Sequence, residues 1–529
     1  MSFEIKDKDL AGRIGRLRTK SGTIETPAFF PVVNPFRTRE SVTVEKIREI
    51  GFNQIITNAF IIMQRLGDDA VRMGVHKVVG YDGVIMTDSG AYQLLMYGRE
   101  RIKIDPVKIV EFQDRIGSDI AVIADIPTRD DSTYEEALVS VEETLRRAKA
   151  VAGMIEQSNT LWVLPIQGGV YVDLVAKSAA IAATMNEYGM YAIGSPVTVL
   201  EKYEFWKIVD MVATAKKYLP HDKPVHLFGG GHPIIMPLMV ALGVDSFDSA
   251  SYILYARDGR YITEHGTYRI KELDYLPCEC PVCSKYEPKE MLEMPREERV
   301  KLVAIHNLYV IAREIRRIKE AIREGRLWEL IEERARTHPY VREALNRVIK
   351  YVDWIERLDP VIRGKSRGLF LYDRTSYFRP ELLRHRKRVI EKILREIKNR
   401  TINNVVLVPA STLVKPFHDA EHFKKVLRYL NITDEHIILF YVPFFDIVPY
   451  DIDETYPYSQ FEAPSHPEPC VINMMCDTIR RLLKIAQDVQ VHVKFVYASG
   501  FGNTDACKKI LEFCEKSSNV QCIKLDQKV

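Results

Sequence analysis

The chain has 529 residues, 46% hydrophobic and 28% charged, with 75 basic against 72 acidic side chains and a net charge of +3. That length exceeds one ordinary core, so two or three domains are expected, and the composition excludes a chain disordered throughout. Near-neutrality predicts nothing about nucleic acid, so any such contact must come from local clustering.

The N-terminal stretch "MSFEIKDKDLAGR" lacks the apolar segment of a secretory signal. No apolar run reaches the roughly 18–20 residues that span a bilayer, so a cytoplasmic location without membrane contact is expected. Apolar runs then recur at 26–33, 53–59, 83–90, 119–127, 161–169, 190–196, 224–231 and 244–251. Amphipathic segments such as 41–50, 132–157 and 201–219 separate them. Strand–helix alternation implies a parallel sheet, and eight such units over about 250 residues imply a (β/α)₈ TIM barrel. Asp88, Asp125, Gln167, Gly194, the glycines 229–231 and Asp248 fall at or just past strand ends. In a barrel those ends share one face, where active sites lie. One polar residue there only marks a strand's stop; three carboxylates, an amide and a glycine-rich turn together point to a site.

After the eighth strand comes "LPCECPVC", with Cys278, Cys280 and Cys283 as C-x-C-x₂-C, and then His306 on an apparent helix. Three thiolates and an imidazole complete a tetrahedral Zn²⁺ site, one ion per chain. Four protein ligands leave no open position, so the metal is expected to be structural, pinning an inserted zinc-binding subdomain at about 275–310. Residues 297–357 read as charged helices and 363–370 as a linker. The segment 379–400 reads as a basic helix with nine Lys/Arg against three Glu; it is either a solvated face or a phosphate contact. From 402 strand–helix alternation resumes. The expected division is 1–357 for the barrel catalytic domain, 358–401 for linker and basic helix, and 402–529 for a small accessory α/β domain. Cys507 and Cys514 lie seven apart on one helix face, where buried packing is the plainer expectation over pairing.

Two facing carboxylates, Asp88 and Asp248, can perform substitution at a sugar anomeric carbon, one as nucleophile and the other moving protons. The motifs "TDSGAYQ", "IQGG", "FDSASY" and C-x-C-x₂-C…H stand in the order found in tRNA-guanine transglycosylases. The stretches "HLFGGGHP" and "FDSASYILYARDGRY" resemble the archaeal branch most. This resemblance covers about residues 1–350, and the C-terminal segment looks like the accessory domain of archaeal members.

The resemblance implies exchange of guanine at position 15, in the D-arm of tRNA, for 7-cyano-7-deazaguanine (preQ₀), a precursor of archaeosine. By resemblance, Asp248 is the nucleophile that forms an aspartyl–ribosyl intermediate, and Asp88 the acid/base. Asp125 reads the base edge, Gln167 supplies a matching amide, Gly194 allows close backbone approach and Tyr92 stacks on the base. Ser89 either bonds the base or caps the next helix. A homodimer is also implied. The PUA domain that ends the longest members has no evident counterpart before Val529, so a separate PUA-domain protein is a candidate partner. A silent tRNA-binding subunit and an archaeosine synthase-like paralogue are the rival readings; the Asp88–Asp248 pair argues against both. A glycoside hydrolase on the same barrel is disfavoured by the cysteine cluster and "IQGG".

Overall fold

A computed structural model describes residues 2–37, 41–91, 104–362, 367–399, 401–430 and 436–525. Two compact units result. The first comprises Met1–Trp354 with Leu358–Pro360, and the second Ile355–Arg357 with Val361–Val529.

The first unit opens with an antiparallel sheet of β1 (Phe3–Asp9), β2 (Gly12–Arg18) and β3 (Thr23–Thr26). Eight strands follow: β4 (Ala28–Pro31), β5 (Gln54–Asn58), β6 (Val84–Asp88), β7 (Ile120–Val122), β8 (Leu161–Ile166), β9 (Met190–Ile193), β10 (Val225–Leu227) and β11 (Ser246–Ser249). They pair in the order β4-β11-β10-β9-β8-β7-β6-β5, all in parallel. A parallel bridge between Val32 and Ile56 closes the ring, with Val33 N–H donating to the Ile56 carbonyl at 2.8 Å. The expected eight-stranded barrel is therefore present. Burial is nearly continuous along each strand, as both faces are covered.

Helices including Pro106–Arg115, Tyr134–Glu156 and Phe205–Tyr218 follow the strands. Thr133 and Glu136 form a capping box that starts the second of these. The opening sheet sends Leu17 and Ile24 into a core with Val84, Ile120, Leu161 and Met190, the first residues of four barrel strands. It thus plugs the N-terminal end of the barrel and leaves the other end open. Buried Arg13 secures the plug, its Nε and Nη2 reaching Asp245 at 2.7 and 2.8 Å. After β11 come the hairpin of β12 (Arg260–Thr263) and β13 (Gly266–Arg269), the cysteine knuckle and the helix Arg296–Glu324.

The second unit holds a short parallel pair, β14 (Leu369–Phe370) with β18 (Phe461–Glu462). Its main sheet has β15 (Asn404–Pro409), β16 (His436–Val442), β17 (Asp446–Pro449), β19 (His492–Ala498) and β20 (Val520–Leu525), ordered β17-β16-β15-β19-β20. Only β17 runs antiparallel. The basic segment forms consecutive helical turns over Pro380–Lys398, whose Ile390, Ile393, Leu394 and Ile397 enter the core of this unit. Several of its cations are paired internally: Arg384 and Lys387 with Glu356, and Lys392 with Glu396. Of the expected linker, residues 363–366 lie outside the described residues. The cysteines correct the packing expectation. Cys476 bonds Cys507 and Cys514 bonds Cys522, leaving Cys470 free. Cys507 and Cys514 share a helix face and both are buried, yet each meets a partner from another element. Among the described residues, no helix is long and apolar enough to cross a membrane.

Candidate active site

The open end of the barrel holds a cavity of about 880 Å³ lined by Asp88, Asp125 and Asp248 among others. Asp88 is the last residue of β6. Its Oδ2 accepts from Asn58 Nδ2 at 3.1 Å, while Asn58 Oδ1 accepts from Ile61 N–H at 2.9 Å as the cap of the helix Ala59–Leu66. Those two bonds fix which way the Asn58 amide faces. Burial, then the Asp125 carboxylate, and more weakly Asp248, push the Asp88 carboxyl up to about 7. Asp125 is pushed up to about 6 by burial, opposed by the hydrogen bond from Gln167. Asp88 is therefore a carboxyl that gains and loses its proton near neutral pH.

Asp248 is held differently. Its Oδ1 receives the Gly229 N–H at 2.9 Å and His226 Nε2 at 3.1 Å. His226 is wholly buried, and its Nδ1 lies 2.8 Å from Ser246 Oγ. Asp248 Oδ1 already accepts the Gly229 N–H, so Nε2 donates to the same oxygen and Nδ1 accepts from the serine. One oxygen of Asp248 is thereby occupied, and the other has no hydrogen-bond partner among the described residues. Neither His226 nor Asn58 figured among the sequence candidates. The only available signals were a histidine inside an apolar run and an asparagine at a strand's end.

The remaining candidates separate. Gln167 is fully buried behind Asp125. Its Nε2 donates to Asp125 Oδ2, and its Oε1 accepts from Thr128 N at 3.2 Å and Ser195 Oγ at 3.0 Å. Ser195, also in the cavity wall, holds a left-handed backbone at φ 62°, a strain that clusters at functional sites. A Cβ on Gly194 would sit 2.3 Å from Gln167 Nε2, so the glycine makes room for that amide. Ser89 is buried, with no partner for its Oγ among the described residues. Tyr92 lies outside the described residues.

Cys278, Cys280, Cys283 and His306 bring four donor atoms within 4.8 Å of one another. His306 Nδ1 lies 3.5 Å from Cys280 Sγ and 3.3 Å from Cys283 Sγ. Its Nε2 donates to the Ile262 carbonyl at 2.9 Å, which turns Nδ1 toward the sulfurs. Tyr261 stacks on the imidazole at 3.7 Å, and its hydroxyl lies 3.2 Å from Cys283 Sγ. Three thiols, an oriented imidazole and a packed outer layer fit a metal ion.

Fold and site together define a (β/α)₈ barrel with clustered carboxylates on its catalytic face and a Cys₃His centre beside it. Residues 7–340 match the family described as queuine tRNA-ribosyltransferase, and the chain belongs to that family. It is 46% identical to the tRNA-guanine(15) transglycosylase of Aeropyrum pernix over 496 residues, 94% of each chain. It is 45% identical to that of Sulfolobus acidocaldarius, covering 91% of this chain and 92% of the relative. For the Methanocaldococcus jannaschii protein of the same name the identity is 43%, over 88% of this chain and 69% of the relative.

Proposed function

We propose that this protein exchanges guanine at position 15 of tRNA for preQ₀, on the route to archaeosine. Supporting this is one observation above all: Asp88, poised to titrate near neutral pH, shares a cavity with Asp248, one oxygen of which is held by His226 and Gly229. The free oxygen of Asp248 attacks ribose C1′ and the C1′–N9 bond breaks. Asp88 gives its proton to the departing guanine, leaving an aspartyl–ribosyl ester. Asp88 then takes the N9 proton of preQ₀, whose nitrogen attacks C1′ and frees the Asp248 carboxylate. Two displacements at one carbon retain configuration.

Asp125, oriented by Gln167, accepts N–H bonds from the base edge. Gly194 supports that orientation, and Ser89 and Tyr92 complete the base site. Cys278, Cys280, Cys283 and His306 hold one structural Zn²⁺, which pins the knuckle to the helix Arg296–Glu324. The chain works as a homodimer in the cytoplasm, with a separate PUA-domain protein as a candidate tRNA-docking partner. The domain roles follow the same reading, with catalysis in 1–357, a linker and basic helix in 358–401 and an accessory role for 402–529.

The test is incorporation of labelled guanine or preQ₀ into tRNA by wild type and by Asp248→Asn. Wild type should incorporate both bases, and the variant should bind tRNA yet incorporate neither. Undiminished incorporation by the variant would remove Asp248 as nucleophile.

A further inference from the structure

The cavity is larger than exchange of a single base requires. From the three carboxylates it runs outward along Val197–Phe205 to His338 and the β12–β13 hairpin. Its volume of about 880 Å³ is near the top of the roughly 300–1,000 Å³ range for small-molecule sites. A purine with its ribose is a small member of that class.

The two ends differ in chemistry. The inner end holds Asp88, Asp125 and Asp248, which repel phosphate. The outer wall is aromatic, with Arg260 as its guanidinium and Glu201 as its acid. Tyr203 lies nearly parallel to His338, with ring centroids 5.2 Å apart and planes 22° apart. Phe205 and Tyr340 flank it at 5.4 and 6.2 Å. Tyr203 nevertheless remains 39% exposed, and its backbone is left-handed at φ 59°. A non-glycine residue keeps that conformation only where its surroundings enforce it. The Arg260 guanidinium lies 4.0 Å over the Tyr255 ring and pairs through Nε with Asp258 Oδ2 at 2.9 Å. His232 is pushed down to about 4, by burial first and by Arg260 and His338 after it, and is neutral. Its Nδ1 accepts from Ile234 N–H at 3.2 Å, so Nε2 carries a proton to donate.

A nucleotide turned into the inner end brings its neighbour and their shared phosphate with it. Resting on the base exchange proposed above, we propose that the outer end is a second nucleotide subsite. The base adjacent to the exchanged guanosine stacks on Tyr203, and the linking phosphate lies toward Arg260 and His232. Stacking accepts any base, so the subsite carries little sequence preference.

The test is a cycle between protein and RNA. Exchange is measured for wild type, Tyr203→Ala and Tyr203→Phe. The substrates are intact tRNA and tRNAs with an abasic nucleotide on one or the other side of the target guanosine. Tyr203→Ala should lower kcat/KM on intact tRNA by about 5- to 150-fold, and Tyr203→Phe should restore most of it. On one abasic tRNA, wild type should fall to the level of the alanine variant, and that variant should lose nothing further. The subsite is overturned if Tyr203→Ala matches wild type, if its loss multiplies with both abasic losses, or if wild type is indifferent to both abasic nucleotides. Exchange by wild type with an unaffected Tyr203→Ala overturns the subsite alone. No exchange by wild type overturns the base-exchange reading, and the subsite with it.

Discussion

Asp88→Asn should stabilise the barrel while abolishing exchange. In the unfolded chain this carboxyl ionises near 3.8, and in the fold only near 7. Between those values the folded state holds a proton that the unfolded state has released, so stability falls as pH rises. The difference between 7 and 3.8, at about 1.4 kcal/mol per pH unit, is about 4 kcal/mol. Asp88 opens onto the cavity, where water softens the penalty, so about 2–4 kcal/mol is expected. An asparagine carries no charge to bury and still offers an oxygen to Asn58. The variant should therefore match wild type near pH 4, gain through pH 5–7 and hold a constant advantage above about 7. All four tryptophans, Trp162, Trp206, Trp328 and Trp354, fall in the first unit. Guanidinium unfolding followed by their fluorescence at pH 4, 6 and 8 thus reads the barrel without the second unit. Equal stability at pH 8, or an offset that ignores pH, would refute the account of Asp88.

Three other outcomes are expected. His226→Leu removes a hydrogen bond to a charged oxygen, worth about 1.5–3 kcal/mol. It should slow exchange by about 10- to 150-fold at unchanged tRNA affinity, with partial recovery in His226→Gln; full activity in the leucine variant would exclude His226 from positioning Asp248. Elemental analysis should find about one zinc per chain, lost in Cys280→Ser together with a lower melting temperature, and a metal-free wild type would sink the Cys₃His centre. Breaking the Cys476–Cys507 bond, which closes a separation of 31 residues, should destabilise the second unit by about 3–4 kcal/mol. The circular-dichroism transition should then move while the tryptophan transition stays; a melt unchanged by reductant would count against the bond.

The barrel strands were legible because parallel strands covered on both faces read as unbroken apolar runs. The N-terminal sheet was not: β1 reads FEIKDKD, mostly charged and exposed, and antiparallel pairing with β2 makes it a strand. Asp88, Asp125 and Asp248 stood out because carboxylates interrupted apolar runs, and the cysteine knuckle because its three sulfurs fall within six residues. His226 and Asn58 did not, since their meaning depends on which residue lies opposite in the next strand. Five C-terminal cysteines allow many pairings, and contact between separate elements selects two.

Strand pairing also acts as a ruler for the chemistry. Asn58 is in register with Asp88 and bonds it; His226 is in register with Ser246 and touches both that residue and Asp248. The spacing of Asp88 from Asn58 and of Asp248 from His226 is thus inherited from the main-chain interval of about 4.8 Å between strands. A shift of one residue within β10 would turn His226 to the outer face and leave Asp248 unsupported. Loops beyond the strand ends can change length without moving that ruler. The carboxylate cluster can therefore stay constant in geometry while the loops of the rim are free to diverge.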